Sequence, residues 1–575
     1  MLEMCNGIAA AHPELAFNRK YKILRKKDIK QDKVSLISGG GSGHEPAHAG
    51  FIGTGLLDAA VCGDVFASPS QIQVYKAIKE TVSDKGTLLI IKNYSGDMMN
   101  FKNAAYLAKE DGVEVDYVKV NDDIAVKDSL YTVGHRGVAG TVFVHKVAGA
   151  VAETGASLAQ VKAMANKVIE NVKSIGFAFS SCTVPAKGSP TFEISEQDME
   201  YGVGIHGEPG IRREPIVTAD ELASRMVPEL LAALSIPVER EEEVAILING
   251  FGGTPLQELY LFNNAVLKVL AKTNTKASRI YVGNYMTSID MQGASLSILK
   301  IDKELKGYLD SSCDAPAFKI IGTAKECVYQ ELEISEKEIS AVYEVETNRD
   351  YAKIEENQLS LNNIIYLIDK MSEVIIKNEV PFCELDSHAG DGDFGMSVAK
   401  GFRRLKEEWA EINRADIESI GQFLEECALI IMEYCGGASG PIWGSAFRSA
   451  GKAVGNQNKV DAVAFADMLQ AAVKGIQDVG ERSFGRGAVV GDKTLIDALV
   501  PCADSWSEEA LKGTALLQIF EKSARAAVLG AKKTETIAAR MGRAGTVGER
   551  SIGYPDAGAH ALGIIFTELA KALTE

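Results

Sequence analysis

Three carboxylates, Asp386, Asp391 and Asp393, fall within eight positions of the run Leu385-Asp-Ser-His-Ala-Gly-Asp-Gly-Asp-Phe-Gly395. The glycines between and after them let the backbone turn tightly enough to bring the acids to one point. Carboxylates pressed together repel one another unless a cation neutralises them. A donor set made only of oxygen favours a hard ion such as Mg2+ or Ca2+ over zinc. This run is therefore expected to bind a divalent metal, and metals held this way commonly serve phosphates.

A second concentration of chemistry lies near the start of the chain. Ile37-Ser-Gly-Gly-Gly-Ser-Gly-His-Glu-Pro46 follows a strand-like stretch. Such a loop either cradles an anion with backbone N–H groups or lets a small ligand approach closely, which makes Gly41, Ser42, Gly43 and His44 candidate ligand contacts. His44-Glu-Pro-Ala-His48 also fits HExxH, but that motif needs both histidines on one helical face, and Pro46 opposes a helix there. Gly202-Val-Gly-Ile-His-Gly207 fits GxGxxG, yet Glu208-Pro-Gly210 favours a turn where a dinucleotide site needs a helix. What remains is His206 in a glycine frame that leaves its ring accessible for chemistry. Lys92 and Asp97, in Ile91-Lys-Asn-Tyr-Ser-Gly-Asp97, follow another strand, where ligands gather in open α/β sheets.

The C-terminal half holds further glycine-punctuated stretches. Cys435-Gly-Gly-Ala-Ser-Gly440 could present N–H groups to a phosphate at a helix start. Gly491-Asp-Lys-Thr494 precedes a helix, where Asp or Thr could equally be a cap. Arg540-Met-Gly-Arg-Ala-Gly545 and Tyr554-Pro-Asp-Ala-Gly558 could close over a nucleotide. No GxxxxGK[ST] pattern occurs, which disfavours a P-loop NTPase.

The elements that must hold these residues change type along the chain. Up to about residue 320, short β-branched runs (34–38, 87–91, 244–248) alternate with glycine turns and helical stretches such as 71–83 and 148–175. That alternation predicts an α/β domain over 1–330, made of two α/β subdomains with a boundary near 180. A Glu-rich stretch without periodicity, 331–358, reads as a linker. From 359 to 575 strand signals nearly vanish and 359–378, 420–434, 462–479, 504–529 and 557–574 read as helices, so an all-α domain is expected.

At 575 residues the chain is too long for one core. Its net charge of −17 disfavours non-specific binding to nucleic acid or anionic membrane. Nine scattered cysteines without a CxxC pair suggest reduced thiols and a cytoplasmic location. No apolar run approaches the roughly 20 residues that span a bilayer, and the first residues lack a signal-peptide pattern.

Together the runs 38–55, 90–101, 122–138, 201–210, 385–395, 436–441 and 491–499, in that order, resemble the ATP-dependent dihydroxyacetone kinases. The resemblance covers nearly the whole chain. It implies a ketose-binding α/β half fused to a nucleotide-binding half built as an antiparallel helical barrel, commonly in a homodimer. It implies that His206 adds to the substrate ketone to give a covalent hemiaminal. His44 and Asp97 would be the acid/base pair at the hydroxyl that attacks phosphorus, and Gly41 and Lys92 would touch substrate. Asp386, Asp391 and Asp393 would hold two Mg2+ ions on ATP. Phe394, Gly395, Met396, Ser397, Ala438, Ser439, Thr494, Leu495, Arg543, Asp556, Ala557 and Gly558 fall where the family binds nucleotide. The chemistry agrees, since phosphoryl transfer needs in-line positioning and neutralised phosphate charge. The sequence departs from the family at Ala557, where Pro is common, and in the wording around Arg543. The extra N-terminal segment usual in the family is expected to be short or absent. Two alternative readings stay open: a kinase of another short-chain ketose or aldose, such as erythrulose or glyceraldehyde, which the same carbonyl chemistry would serve, and an FMN cyclase (FAD-AMP lyase) activity, which the resemblance also implies.

Overall fold

Uninterrupted apolar runs need cover on both faces, and in the computed structural model the runs at 34–38 and 87–91 lie inside a six-stranded sheet. Residues 1–574 are described except 127–133, 238–240, 323, 333–346, 414–416, 542–544 and 546. The strands are β1 (Leu15–Asn18), β2 (Ile23–Lys26), β3 (Ser35–Ser42), β4 (Ala59–Val65), β5 (Thr87–Lys92) and β6 (Val115–Val120), in the order β1-β2-β4-β3-β5-β6. β3 runs parallel to both β4 and β5, and β5 to β6, while β1 and β2 are antiparallel additions at one edge. Side chains alternate between the faces. A first helix, α1 (Leu2–Ala11), precedes the sheet, and Ile37, Leu89 and Ile91 pack with Val74, Ile78 and Phe101 of α2 (Gln71–Thr81) and α3 (Ser95–Glu110). Leu36, Leu88 and Ile90 join Phe143, Val147 and Val161 of α4 (Thr141–Glu153) and α5 (Leu158–Asn171).

The stretch 148–175, expected as one helix, is two helices and the start of a strand. Gly155 takes φ +77, which ends α4. Ser157 and Gln160 then form a capping box that starts α5, worth about 1 kcal/mol. From Val172 the chain is strand. That strand, β7 (Val172–Ala178), opens a second sheet with β8 (Asp198–Tyr201), β9 (Arg212–Pro215), β10 (Glu242–Gly250), β11 (Thr275–Gly283) and β12 (Gly293–Lys300), in the order β11-β10-β12-β7-β8-β9. Among the described strands of this sheet, only β10 and β11 pair in parallel. Helices α6 (Ala219–Ala233) and α7 (Leu256–Ala271) cover one face, where Met226, Leu230 and Phe262 meet Ile246, Ile248 and Leu296. Leu247 and Leu299 on the other face belong to the same core as α4 and α5, so the two sheets share a centre. Residues 1–332 therefore form one compact unit.

Residues 333–575 form a second compact unit. Half of the segment read as a linker, residues 333–346, lies outside the described residues. From Thr347 onward it packs on the helices, with Thr347 Oγ1 donating to Asp369 Oδ2 at 2.5 Å. Its helices, taken in order, are Leu361–Lys377, Glu379–Asp386, Phe394–Glu407, Trp409–Ile412, Ile420–Tyr434, Ser439–Val454, Ala462–Phe484, Ile496–Leu511, Leu516–Lys533 and Ala557–Ala572. The expected single helix 504–529 is broken where Gly513 takes φ +72. Leaving aside the two short helices Glu379–Asp386 and Trp409–Ile412, each helix packs on the next and the last on the first, which closes a barrel. The barrel interior holds a cavity of about 140 Å3 lined by apolar side chains such as Leu367, Met371, Trp443, Phe447 and Leu562. Such a lining cannot solvate a triphosphate. Among the described residues no helix is long and apolar enough to cross a membrane.

Candidate functional site

In the first unit the C-terminal ends of β3, β4 and β5 converge with the first turn of α3. Glycine permits the approach. A Cβ on Gly41 would lie 2.6 Å from Ala67 N and 2.7 Å from Phe66 C, both backbone atoms. A Cβ on Gly40 would lie 3.0 Å from Lys92 Nζ and 3.4 Å from Asp97 Oδ2, so this ammonium and this carboxylate sit together against bare backbone. Both are buried, at 0% and 4% exposure. Burial lowers the Lys92 pKa and raises that of Asp97, each opposed by the charge of the other. The Ser68 hydroxyl donates to the Pro69 carbonyl and, beside Asp97, adds a smaller influence that lowers the Asp97 pKa, whereas Lys92 Nζ has no hydrogen-bond partner among the described residues.

His44 stands in the turn after β3 and His206 in the turn after β8. Their Nε2 atoms face each other at 3.2 Å. His44 Nδ1 is 2.8 Å from the carbonyl oxygen of Thr287. A carbonyl can only accept, so Nδ1 carries the hydrogen, His44 Nε2 is the acceptor, and the shared proton belongs to His206 Nε2. Phe66 stacks on His44 with centroids 5.1 Å apart and meets His206 edge-on, and Tyr94 closes on His206 at 4.4 Å. Burial, with the Lys92 and Arg136 cations adding to it and Glu208 opposing, lowers the His206 pKa to about 4. His44 is held well below its ordinary value, first by burial and then by Lys92 and His206. Both rings are therefore neutral near pH 7. The His206 backbone N–H donates to Glu208 Oε2 at 2.8 Å. Arg136 spans Glu208, Asp123 and the carbonyl of Gly202.

Several expected residues serve the scaffold. Ser42 Oγ donates to the Gly63 carbonyl, and the Gly43 N–H to Glu45, so neither is free to cradle an anion. The segment from His44 to His48 is turn, and His48 turns inward to meet His145, Nδ1 to Nε2 at 3.0 Å. The HExxH match thus has no zinc geometry. Phe66, Ser68, Tyr94, Arg136 and Glu208 were not singled out from sequence. Ser68 and Tyr94 stand just beyond strand ends and could have been found by that rule. Phe66, which holds φ +55, directly follows β4 and meets the same rule, whereas Arg136 and Glu208 carry no such signal.

In the second unit Asp386 ends the helix Glu379–Asp386, while Asp391 and Asp393 lead into Phe394–Glu407. One oxygen of each of the three acids lies within 4.8 Å of the others, the one such cluster found among the described residues. The Gly392 N–H donates to Asp386 Oδ2, and a Cβ on Gly390 would lie 2.3 Å from Asp386 Oδ1. Oxygens about 2.1 Å from a shared Mg2+ stand about 3–4 Å apart, so the donor set fits a hard cation. Phe394, Gly395, Met396 and Ser397 form the first turn of their helix. The Gly436 N–H donates to the Ser397 carbonyl, which brings Ala438 and Ser439, at the start of Ser439–Val454, beside it. Asp556 caps the last helix by accepting from the Ala559 N–H, and a Cβ on Gly558 would lie 3.0 Å from Leu495 Cβ. Burial, with Asp497 and Asp386 adding, raises the Asp556 pKa to about 7. The Thr494 N–H donates to Asp497 Oδ2. Ala557 is buried in the first turn of the last helix. Arg543 lies outside the described residues.

Two family profiles match the chain: the Dak1 domain over residues 6–317, more than half its length, and the DAK2 domain over 388–571. A triokinase/FMN cyclase of Rattus norvegicus is 31% identical over 574 residues, covering 99% of this chain and 96% of that protein. The chain belongs to the dihydroxyacetone kinase family. Within this dihydroxyacetone kinase family, the dihydroxyacetone-binding subunit DhaK of a PTS-dependent kinase from Lactococcus lactis is 49% identical over 303 residues, 52% of this chain and 91% of that subunit. The crystal structure of the dihydroxyacetone kinase from C. freundii in complex with AMP-PNP and Mg2+ matches with a TM-score of 0.56 and 29% identity, covering 99% of this chain and 97% of that one. The protein is thus a member of an ATP-dependent kinase family that acts on small ketoses, with a sheet-containing Dak1 region followed by a helical one.

Proposed function

We propose that this protein transfers the γ-phosphate of ATP to dihydroxyacetone, held as a hemiaminal on His206. The observation that carries this reading is the pair of neutral imidazoles, His206 and His44, facing each other at 3.2 Å in an aromatic cage. His44 Nε2 takes the Nε2 proton of His206 as that nitrogen adds to the carbonyl carbon, then returns it to the carbonyl oxygen. Neutral imidazole and ketone thereby give a neutral adduct with no proton gained or lost. The adduct fixes a small, flexible substrate whose few atoms offer little binding energy, and it rejects glycerol, which has no carbonyl. Asp97 is the proposed base for the attacking hydroxyl, its pKa raised by burial, and Lys92 supplies compensating charge. Gly41, with the backbone of Ser42 and Gly43, forms the floor of the pocket.

Asp386, Asp391 and Asp393 would hold two Mg2+ ions, whose chemistry is to neutralise the phosphate oxygens. The helix starts at Phe394–Ser397, Ala438–Ser439 and Asp556–Gly558, with Thr494, Leu495 and Arg543, would receive the nucleotide. The AMP-PNP and Mg2+ complex of the C. freundii enzyme supports that assignment. A homodimer is the proposed assembly. The similarity to a triokinase/FMN cyclase favours a second reading, in which the nucleotide unit also cleaves FAD. That activity would need the acids and be indifferent to His206→Ala.

The test is ADP release with dihydroxyacetone, erythrulose, glyceraldehyde and glycerol side by side. Turnover with dihydroxyacetone at the highest kcat/KM, and none with glycerol, is expected. Preference for another carbonyl compound would change the substrate, and equal turnover of glycerol would remove the carbonyl mechanism.

A further inference from the structure

Lys493, in the glycine-flanked run 491–494, invites reading as a phosphate ligand, yet its side chain is spent elsewhere. It is 1% exposed, and its Nζ lies 3.1 Å from the carbonyl oxygen of Ile537, 2.6 Å from that of Ser551 and 2.8 Å from that of Tyr554. An ammonium has three hydrogens, and three carbonyls use them all. The residue holds φ +61, an uncommon conformation for a side chain of this size, which the three charge-assisted bonds offset. The amine thus ties together both ends of the loop between the last two helices. Asp492 adds to the brace, since its backbone carbonyl accepts from the Arg540 N–H and its carboxylate pairs with Arg486.

That loop reaches the acid cluster through one ring. Tyr554 stacks face to face on His388, with centroids 3.7 Å apart and planes 8° from parallel. His388 stands between Asp386 and Asp391, on the turn that carries the three acids. Partners that hold metal ligands in place, without touching the metal, commonly matter about tenfold or more to metal affinity.

We propose that Lys493 and Tyr554 are positioning residues for the acid cluster: Lys493 fixes the loop, and the Tyr554 ring, laid on His388, fixes the turn bearing Asp386 and Asp391. This rests on the reading of that cluster as the Mg2+ site for nucleotide. The contact that matters is the ring face, not the phenol hydroxyl.

The experiment uses full-length Tyr554→Ala, Tyr554→Phe, Lys493→Met and Asp391→Asn proteins. It measures Mg2+-dependent AMP-PNP binding by calorimetry, the KM for Mg2+·ATP and for dihydroxyacetone, and thermal unfolding. Tyr554→Ala should weaken Mg2+-dependent AMP-PNP binding about tenfold, while the KM for dihydroxyacetone and the melting temperature stay near wild type. Tyr554→Phe, which keeps the stack, should restore wild-type binding, and a folded Lys493→Met should resemble Tyr554→Ala. Wild-type binding by Tyr554→Ala, or equal loss in Tyr554→Phe, overturns the proposal. If Asp391→Asn itself retains wild-type Mg2+ dependence, the metal reading has failed. If Asp391→Asn loses it and Tyr554→Ala does not, the clamp alone is wrong.

Discussion

Arg136 Nη1 lies 3.2 Å from Glu208 Oε1, and the other oxygen of that carboxylate holds the backbone N–H of His206 at 2.8 Å. A buried cation therefore fixes the turn that presents the proposed nucleophile. Arg136 is 1% exposed and also pairs with Asp123 at 2.5 Å. Arg136→Met should leave the buried Asp123 and the half-buried Glu208 without their cation and destabilise the protein by roughly 3–5 kcal/mol. Chemical denaturation checks this. A loss below about 1 kcal/mol would mean that the network does not hold the turn.

Protonation of His206 should switch off ketone capture, and the pH at which it does so is low. Its folded pKa, about 4, lies below the ordinary value of 6.5, chiefly through burial. A base with a depressed folded pKa binds fewer protons folded than unfolded between those two values. Its contribution to stability is therefore complete above about pH 6.5 and is lost as pH falls toward 4. Capture of dihydroxyacetone should be flat from pH 8 to about 5 and weaken below, as long as circular dichroism reports a folded chain. A midpoint near 6.5 would mean an ordinary, solvated imidazole.

Gly41→Ala should be costly because the added methyl would meet backbone, at 2.6 Å from Ala67 N, and backbone cannot rotate away. A loss of about 1–3 kcal/mol in stability and a larger loss of ketose binding are expected. Gly7 is the internal control: it sits in a helix with nothing within 4 Å of its absent Cβ, so Gly7→Ala should be neutral or stabilising by up to about 1 kcal/mol. Equal behaviour of the two variants in thermal unfolding would contradict the close-packed floor.

Mg2+ should raise the melting temperature, because an ion bound only by the folded state adds RT ln(1 + [L]/Kd), about 2.7 kcal/mol at a hundredfold excess over Kd. Asp391 is exposed and sits among like charges, so Asp391→Asn alone should change stability by less than about 0.5 kcal/mol. It should nonetheless abolish the Mg2+-induced shift. An unchanged shift in the variant would move the metal elsewhere.

The acid cluster was legible in the sequence because its three members are neighbours along the chain and glycines mark the turns between them. The strands behind the proposed ketose pocket were legible for a similar reason, since short apolar runs ending in glycine declare both strand and candidate site. Arg136 and Glu208 were not, because the ion pair that joins them spans 72 residues of sequence and nothing local distinguishes either from ordinary core or turn residues. Helix ends were misjudged at 148–175 and 504–529, where a glycine with positive φ broke a continuous apolar pattern. Lys493 shows the opposite hazard: a lysine in a glycine-flanked run suggests phosphate, while its three carbonyl partners come from a loop more than forty residues on.

The central claim is a covalent bond between His206 and the ketone carbon, and carbon NMR tests it most directly. With dihydroxyacetone labelled with 13C at the carbonyl, wild-type protein should convert part of the carbonyl signal into a tetrahedral carbon bonded to nitrogen, and His206→Ala should leave the signal as free ketone and hydrate. A wild-type complex that binds the sugar but shows no tetrahedral nitrogen-bonded carbon, or a His206→Ala protein that shows the same one, would contradict it.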